Sequence, residues 1–107
     1  MILVTVFENK SGFCGFRVKG HSGYAQKGSD IICSAVSALT VNTVNSIETF
    51  TSDRFQVKQD EDGYLECRFE NALSEESTLL MNSMILGLQS IQQEYGEKYI
   101  RLVIKEV

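Results

Sequence analysis

The hydrophobic period of this chain switches between two residues and about 3.6 residues four times, and that alternation limits the fold more than any other feature. Residues 2–8 are β-branched and aromatic with alternating faces, and they predict a strand. Glu8 to Gly12 carries turn residues, and residues 13–19 alternate again with Cys14, Phe16 and Val18 on one side, so the two segments predict a hairpin. Residues 20–29 hold Gly20, Gly23 and Gly28 and predict a flexible loop. From Asp30 onward Ile32, Val36, Leu39, Thr43, Ile47 and Phe50 form the stripe of an amphipathic helix, with Ser29 or Asp30 as its N-cap. Phe55 and Val57, then Leu65, Cys67 and Phe69, flank the acidic turn Asp60-Glu61-Asp62-Gly63 and predict a second hairpin. Ser74, Glu75 and Glu76 open a second helix whose stripe is Leu80, Met81, Met84, Leu88, Ile91 and Tyr95, with Gly96 as its C-cap. Ile100, Leu102 and Ile104 supply a last strand.

The predicted order is therefore ββαββαβ, an α+β chain. Two helices of ~22 residues are each about 33 Å long, enough to cover one face of a five-stranded sheet. The architecture that satisfies both apolar patterns is a two-layer α/β sandwich with both long helices on one face. A length of 107 residues fits one domain, residues 1–107, around one core. The uncovered face would carry Leu3, Phe7, Tyr99 and Val103, apolar enough to serve as a dimer surface or to stay a half-covered sheet.

Charge narrows the partners. The net charge is −4 and the ten Lys and Arg are scattered singly, so no basic stripe exists to bind phosphates, and direct nucleic-acid binding is not expected. An acidic surface suits a basic protein partner, and it also serves plain solubility. Neither an apolar membrane span nor a basic-then-apolar leader is read, so the expected place of action is the cytoplasm. Three cysteines without an export signal are expected to be free thiols.

Those cysteines can be sorted by phase. Cys14 alternates with Phe16 and Val18, and Cys67 with Leu65 and Phe69, so both read as core thiols. Cys33 instead falls in the first helical turn, about three residues after the cap. Unpaired N–H groups and the helix dipole favour an anion there, and the thiolate is the nucleophilic form of cysteine. The same N–H groups could hold the oxyanion of a tetrahedral intermediate. A cysteine that simply packs under the helix start is the plainer alternative.

His21 is the sole imidazole, on the glycine-flanked run Gly20-His21-Ser22-Gly23. The loop returns the chain to Cys33, and a His beside a Cys is the pairing that activates a thiol. Asp30 can cap the helix, orient His21, or do both in different states. Ser37, one turn beyond Cys33 on the same helical face, is within reach of the site floor or is a solvated helix serine. Tyr24 can cover apolar substrate residues or anchor the loop. No metal is expected, because one His and no C-x-x-C pair cannot assemble four ligands. No other cofactor is implied either, since the loop has neither GxGxxG nor a P-loop pattern.

Gly20-His21, the glycine-rich gap, and then Gly28-Ser29-Asp30-Ile31-Ile32-Cys33-Ser34-Ala35-Val36-Ser37-Ala38-Leu39 resemble the signature of the ribosomal-processing cysteine proteases, the Prp family. The likeness continues through Asn42–Ile47, the acidic hairpin and the closing helix and strand, spanning nearly the whole chain. It implies a cysteine protease with His21 as general base, Cys33 as nucleophile and Asp30 and Ser37 as supporting residues, on a mobile loop that includes Gly20, Ser22, Gly23, Tyr24 and Gly28. It also implies a homodimer whose substrate is a ribosomal protein, large-subunit protein twenty-seven, carrying an N-terminal extension that is cut after two phenylalanines. Ser22 departs from the family pattern, which commonly has alanine there. Two other readings are a non-catalytic ribosome-assembly or adaptor module on the same fold, and a thiol-transfer protein built on Cys33. The His-Asp-Cys set argues against the first, and the absence of a nearby resolving cysteine against the second.

Overall fold

The computed structural model describes residues 1–26 and 30–107. Its elements are β1 (Ile2–Asn9), β2 (Gly12–Lys19), α1 (Ile31–Phe50), β3 (Phe55–Gln59), β4 (Leu65–Phe69), α2 (Glu75–Tyr95) and β5 (Ile100–Glu106), the order ββαββαβ. The sheet runs β3-β4-β2-β1-β5. Among the described residues only the β1–β5 pair is parallel, because α2 carries the chain across the sheet before β5 joins β1.

One row across all five strands, Val57–Cys67–Phe16–Val6–Ile104, shows how the alternating pattern becomes a face. Cys67, Phe16 and Val6 in the middle are buried, whereas Val57 and Ile104 at the edges are 39% and 44% exposed. The helices therefore cover the centre of the sheet and leave its borders open. They supply Ile32, Val36 and Ile47 from α1 and Met81, Met84 and Leu88 from α2 to the same core. Each such side chain contributes roughly 1.5–3 kcal/mol by leaving water. Where α1 crosses α2, Leu39 lies over Gly87, and a Cβ there would sit 2.9 Å from its Cδ1.

Three residues, Cys14, Phe50 and Tyr99, depart from the periodic reading. A β-bulge pairs Phe7 with Gly15 and Glu8 with Phe13, leaving Cys14 as the extra residue. The bulge shifts the phase, so Phe13 packs against the core and Cys14 is half-buried on the rim of a cavity with Phe7 and Arg17. Gly15 permits this, since a Cβ on it would collide with the Cys67 carbonyl oxygen. Cys67 is the core thiol expected, its pKa pushed up to about 12 by burial.

Phe50 is 74% exposed, because the buried α1 stripe advances through Thr40, Thr43 and Ile47 toward Thr51 rather than Phe50. The hydroxyls of Thr40 and Thr43 donate to the carbonyls of Val36 and Leu39, which lets polar residues occupy that stripe. α1 is long and apolar enough to resemble a membrane span by composition, but this stripe faces the core of the sandwich. Tyr99 is not on the outer face. It precedes β5 in a turn closed by its N–H donating to Gly96, and it packs against the core side. The outer face carries Leu3, Thr5, Phe7 and Val103, with the Arg17 guanidinium 5.5 Å from the Phe7 ring centre.

The start of α2 is fastened to the end of α1. Asp53 accepts hydrogen bonds from the N–H and hydroxyl of Ser74 and from the hydroxyl of buried Ser77. These donors, Ser74 first, hold its carboxyl below the usual range despite burial.

Candidate active site

The strand β2 ends at Lys19, in the interior of the sheet, and α1 begins at Ile31. His21 is exposed, and its imidazole lies on the tip of the β3–β4 hairpin. A Cβ placed on Gly63 would be 3.3 Å from His21 Cε1 and 3.7 Å from Nδ1. Gly63 also has φ +85°, a conformation that other residues rarely adopt, so this contact depends on glycine.

Cys33 is the third residue of α1 and is half-buried. Its Sγ accepts the backbone N–H of Ser22 at 3.4 Å, which puts the residue following His21 directly against the thiol. Among the described residues no hydrogen bond joins the imidazole to Cys33 Sγ or to Asp30. The structure thus brings the loop that bears His21 to Cys33 without closing the pair.

Asp30 is the N-cap of α1 and is buried; Ser29, the other candidate cap, lies outside the described residues. Its Oδ1 accepts the N–H groups of Ile32 and Cys33, both at 3.0 Å. Its Oδ2 accepts the Ser22 hydroxyl and, at 3.5 Å, the N–H of Ala25. Burial alone would push this carboxyl up. The donation from Ser22, Cys33 and Ala25 outweighs it, and the pKa falls to about 2. Asp30 is therefore an anion that ties loop to helix.

That cap has a consequence for the expected oxyanion donors. The N–H groups of Ile32 and Cys33 are engaged by Asp30 Oδ1, and that of Ser34 by the Asp30 carbonyl at 3.1 Å. In this arrangement they are not free to hold a tetrahedral intermediate.

The remaining loop residues fall into place around this centre. Ser22 is buried, and its hydroxyl also accepts the N–H of Tyr24 at 3.1 Å. Tyr24 stands edge-on to Tyr99 and Tyr95, with ring centres 5.3 and 5.8 Å apart, so here it anchors the loop. Gly20 and Gly23 both have positive φ, and Gly28 lies outside the described residues. Ser37 is exposed one turn beyond Cys33, and among the described residues its side chain makes no hydrogen bond.

Ser22 is the residue whose part was missed. In sequence it reads as a small polar loop residue, and only the fold shows its hydroxyl answering a carboxylate eight positions away. Among the described residues, no three His, Cys, Asp or Glu side chains are gathered where a metal ion could sit.

Known proteins share this arrangement of elements. The family model described as cysteine protease Prp matches residues 1–101. The ribosomal processing cysteine protease Prp of Staphylococcus aureus is 33% identical over 107 residues, covering 98% of this chain and all of the relative. Its crystal structure with a covalently linked product peptide superimposes with a TM-score of 0.91 at 32% identity, over 98% of this chain and 100% of that one. The same enzyme with a substrate peptide gives a TM-score of 0.86 at 31% identity over the same shares. A thiol at a capped helix start, a loop carrying the sole histidine beside it, and these matches lead to one conclusion: this chain belongs to the Prp family and is a cysteine protease.

Proposed function

We propose that this chain removes the N-terminal extension of a large-subunit ribosomal protein, cutting after a pair of aromatic residues, with Cys33 as nucleophile and His21 as general base. The observation that carries the reading is the position of Cys33: the third residue of α1, with the N–H of Ser22, neighbour of the sole histidine, aimed at its sulfur. The substrate class is supported by the name and peptide complexes of the Staphylococcus aureus relative.

The chemistry is acyl transfer. His21 takes the thiol proton as Sγ attacks the scissile carbonyl carbon, giving a tetrahedral intermediate. The carbon–nitrogen bond then breaks, and the imidazolium gives its proton to the departing amine, leaving a thioester on Cys33. Water, deprotonated by His21, attacks that thioester and releases the carboxyl product and the thiol. Closing the His21–Cys33 pair needs a shift of the loop from the arrangement described above, in keeping with an active site completed by substrate.

Asp30 acts as a positioning residue: it fixes the helix start and holds Ser22, and through Ser22 the adjoining His21. Ser37 supports the floor of the site on the Cys33 side. Residues 1–107 work as one protease domain, as a homodimer in the bacterial cytoplasm, and the net charge of −4 favours a basic protein substrate over nucleic acid.

A peptide containing Phe-Phe followed by a basic segment tests this reading. Wild type is expected to cut after the second phenylalanine, and Cys33→Ala and His21→Ala are expected to leave the peptide whole. Normal cleavage by Cys33→Ala would end the assignment, and cleavage elsewhere would end the aromatic-pair rule.

A further inference from the structure

We propose that the substrate polypeptide docks as a sixth strand on the free edge of β3, in the groove between β3 and α1 that leads to Cys33. The proposal rests on Cys33 being the nucleophile, and it adds where the chain on one side of the cut is held.

β3 is the outermost strand, and among the described residues nothing pairs with its outer side. Glu70 N–H donates to the Arg54 carbonyl at 2.9 Å and Asp60 N–H to the Tyr64 carbonyl at 3.1 Å. Both bonds continue the register that pairs Phe55 with Phe69 and Gln59 with Leu65. In an antiparallel pair, bonded and non-bonded positions alternate. Gln56 and Lys58 therefore turn their N–H and C=O groups toward β4. Phe55, Val57 and Gln59 turn theirs outward, where an incoming strand would find them.

The side chains of those residues face the helical layer. Phe55 and Val57, with Val41, Val44, Asn45 and Glu48 of α1, line a groove of about 290 Å³. Val41 and Val57 are 36% and 39% exposed, so both walls offer apolar surface to a ligand. The helical wall is continuous with the catalytic thiol, since Cys33, Ser37, Val41, Val44 and Glu48 follow one another at intervals of three or four residues on a single face. The strand wall leads the same way: β3 ends at Gln59, and its hairpin tip presents Gly63 to His21.

The occupant these walls fit is an extended polypeptide with apolar side chains at alternate positions and basic residues nearby. α1 carries no charge from Ile31 to Ile47, while Glu48 closes one end of the groove and Asp60, Glu61 and Asp62 the other. Val41 lies about 12 Å along the helix from Cys33, the reach of roughly four extended residues. The residue seated against Val41 is thus expected about four positions from the cut.

Two variants test the proposal, each assayed with the Phe-Phe peptide. Val57→Pro removes an outward N–H from an edge strand without taking a bond from the β3–β4 ladder. Val41→Lys places a charge in the groove on an already exposed helix position. Each is expected to raise KM about tenfold or more, while the rate of Cys33 alkylation by iodoacetamide and the thermal unfolding of the native protein stay near wild type. If Val57→Pro fails to fold, Val41→Lys and peptides N-methylated at successive backbone positions three to five residues from the cut decide the matter in its place. An unchanged KM in folded variants overturns the docking site. So does a β3-edge dimer in sedimentation that Val57→Pro abolishes with peptide cleavage unaffected, which would assign this edge to a second copy. Loss of the underlying reading is distinguishable, because it would appear as peptide cleavage by Cys33→Ala.

Discussion

The hydroxyl of Ser22 donates to the carboxylate of Asp30, and this bond joins the loop bearing His21 to the helix bearing Cys33. Removing it in Ser22→Ala strands no charge, because Asp30 keeps its backbone donors at Ile32 and Cys33. For a bond to a buried anion the expected cost is about 1.5–3 kcal/mol, a fall in Tm of roughly 6 °C or more for a domain of this size. Cleavage should persist at a reduced kcat/KM, since the nucleophile and base remain but the bond that positions the His21 loop is lost. A calorimetric scan beside a peptide assay checks both, and an unchanged Tm would show the bond to be without effect on stability.

Asp30 makes stability depend on acid in a definite direction. Its folded pKa of about 2 lies below the ordinary 3.8, so its contribution is present in full above 3.8 and is lost as the pH falls through about 2. Asp30→Ala should cost roughly 0.5–2 kcal/mol near neutral pH as a lost helix cap. The gap in Tm between wild type and Asp30→Ala should then narrow between pH 4 and pH 2. A gap independent of pH would contradict the ionised cap.

The three thiols should react in a set order. Cys67, with its pKa at about 12, is neutral and enclosed at pH 8, whereas Cys14 and Cys33 are half-buried. Mass spectrometry after brief iodoacetamide treatment of the native protein should find label on Cys14 and Cys33, and on Cys67 only after unfolding. Native labelling of Cys67 would contradict the packing of β4.

Gly63 should matter to the reaction beyond its effect on the fold. A methyl group there meets His21 Cε1 at 3.3 Å and forces φ +85° on alanine. Gly63→Ala is expected to cost about 1–2 kcal/mol of stability and to lower kcat/KM, while iodoacetamide still labels Cys33. Unchanged kcat/KM would mean that the hairpin tip does not guide the imidazole.

Much of this was legible in the chain, for physical reasons. Ile32, Val36 and Ile47, or Val4 and Val6, declare their element because burial on one face repeats with the geometry of the backbone. Cys33 stands out among the three thiols because the change of period locates the helix start beside it. Cys14 departs from its expected face because a bulge inserts one residue there, and Gly15 is the one local sign of it. Tyr99 departs from the alternation of β5 because the turn before that strand re-aims it. The cap at Asp30 was readable from residue type. Its bond with Ser22 and the seat of His21 on Gly63 were not, since each joins segments that only tertiary folding brings together.

The most direct test of the central claim is the thioester on Cys33. The Phe-Phe peptide should be mixed with the protein, quenched in acid within the first turnover, and the protein weighed intact and after digestion. Expected is a mass increase equal to the N-terminal fragment less one water, located on the peptide that contains Cys33 and absent from Cys33→Ala. Cleavage that proceeds at the wild-type rate in Cys33→Ala, or an acyl group found on another residue, would contradict the account.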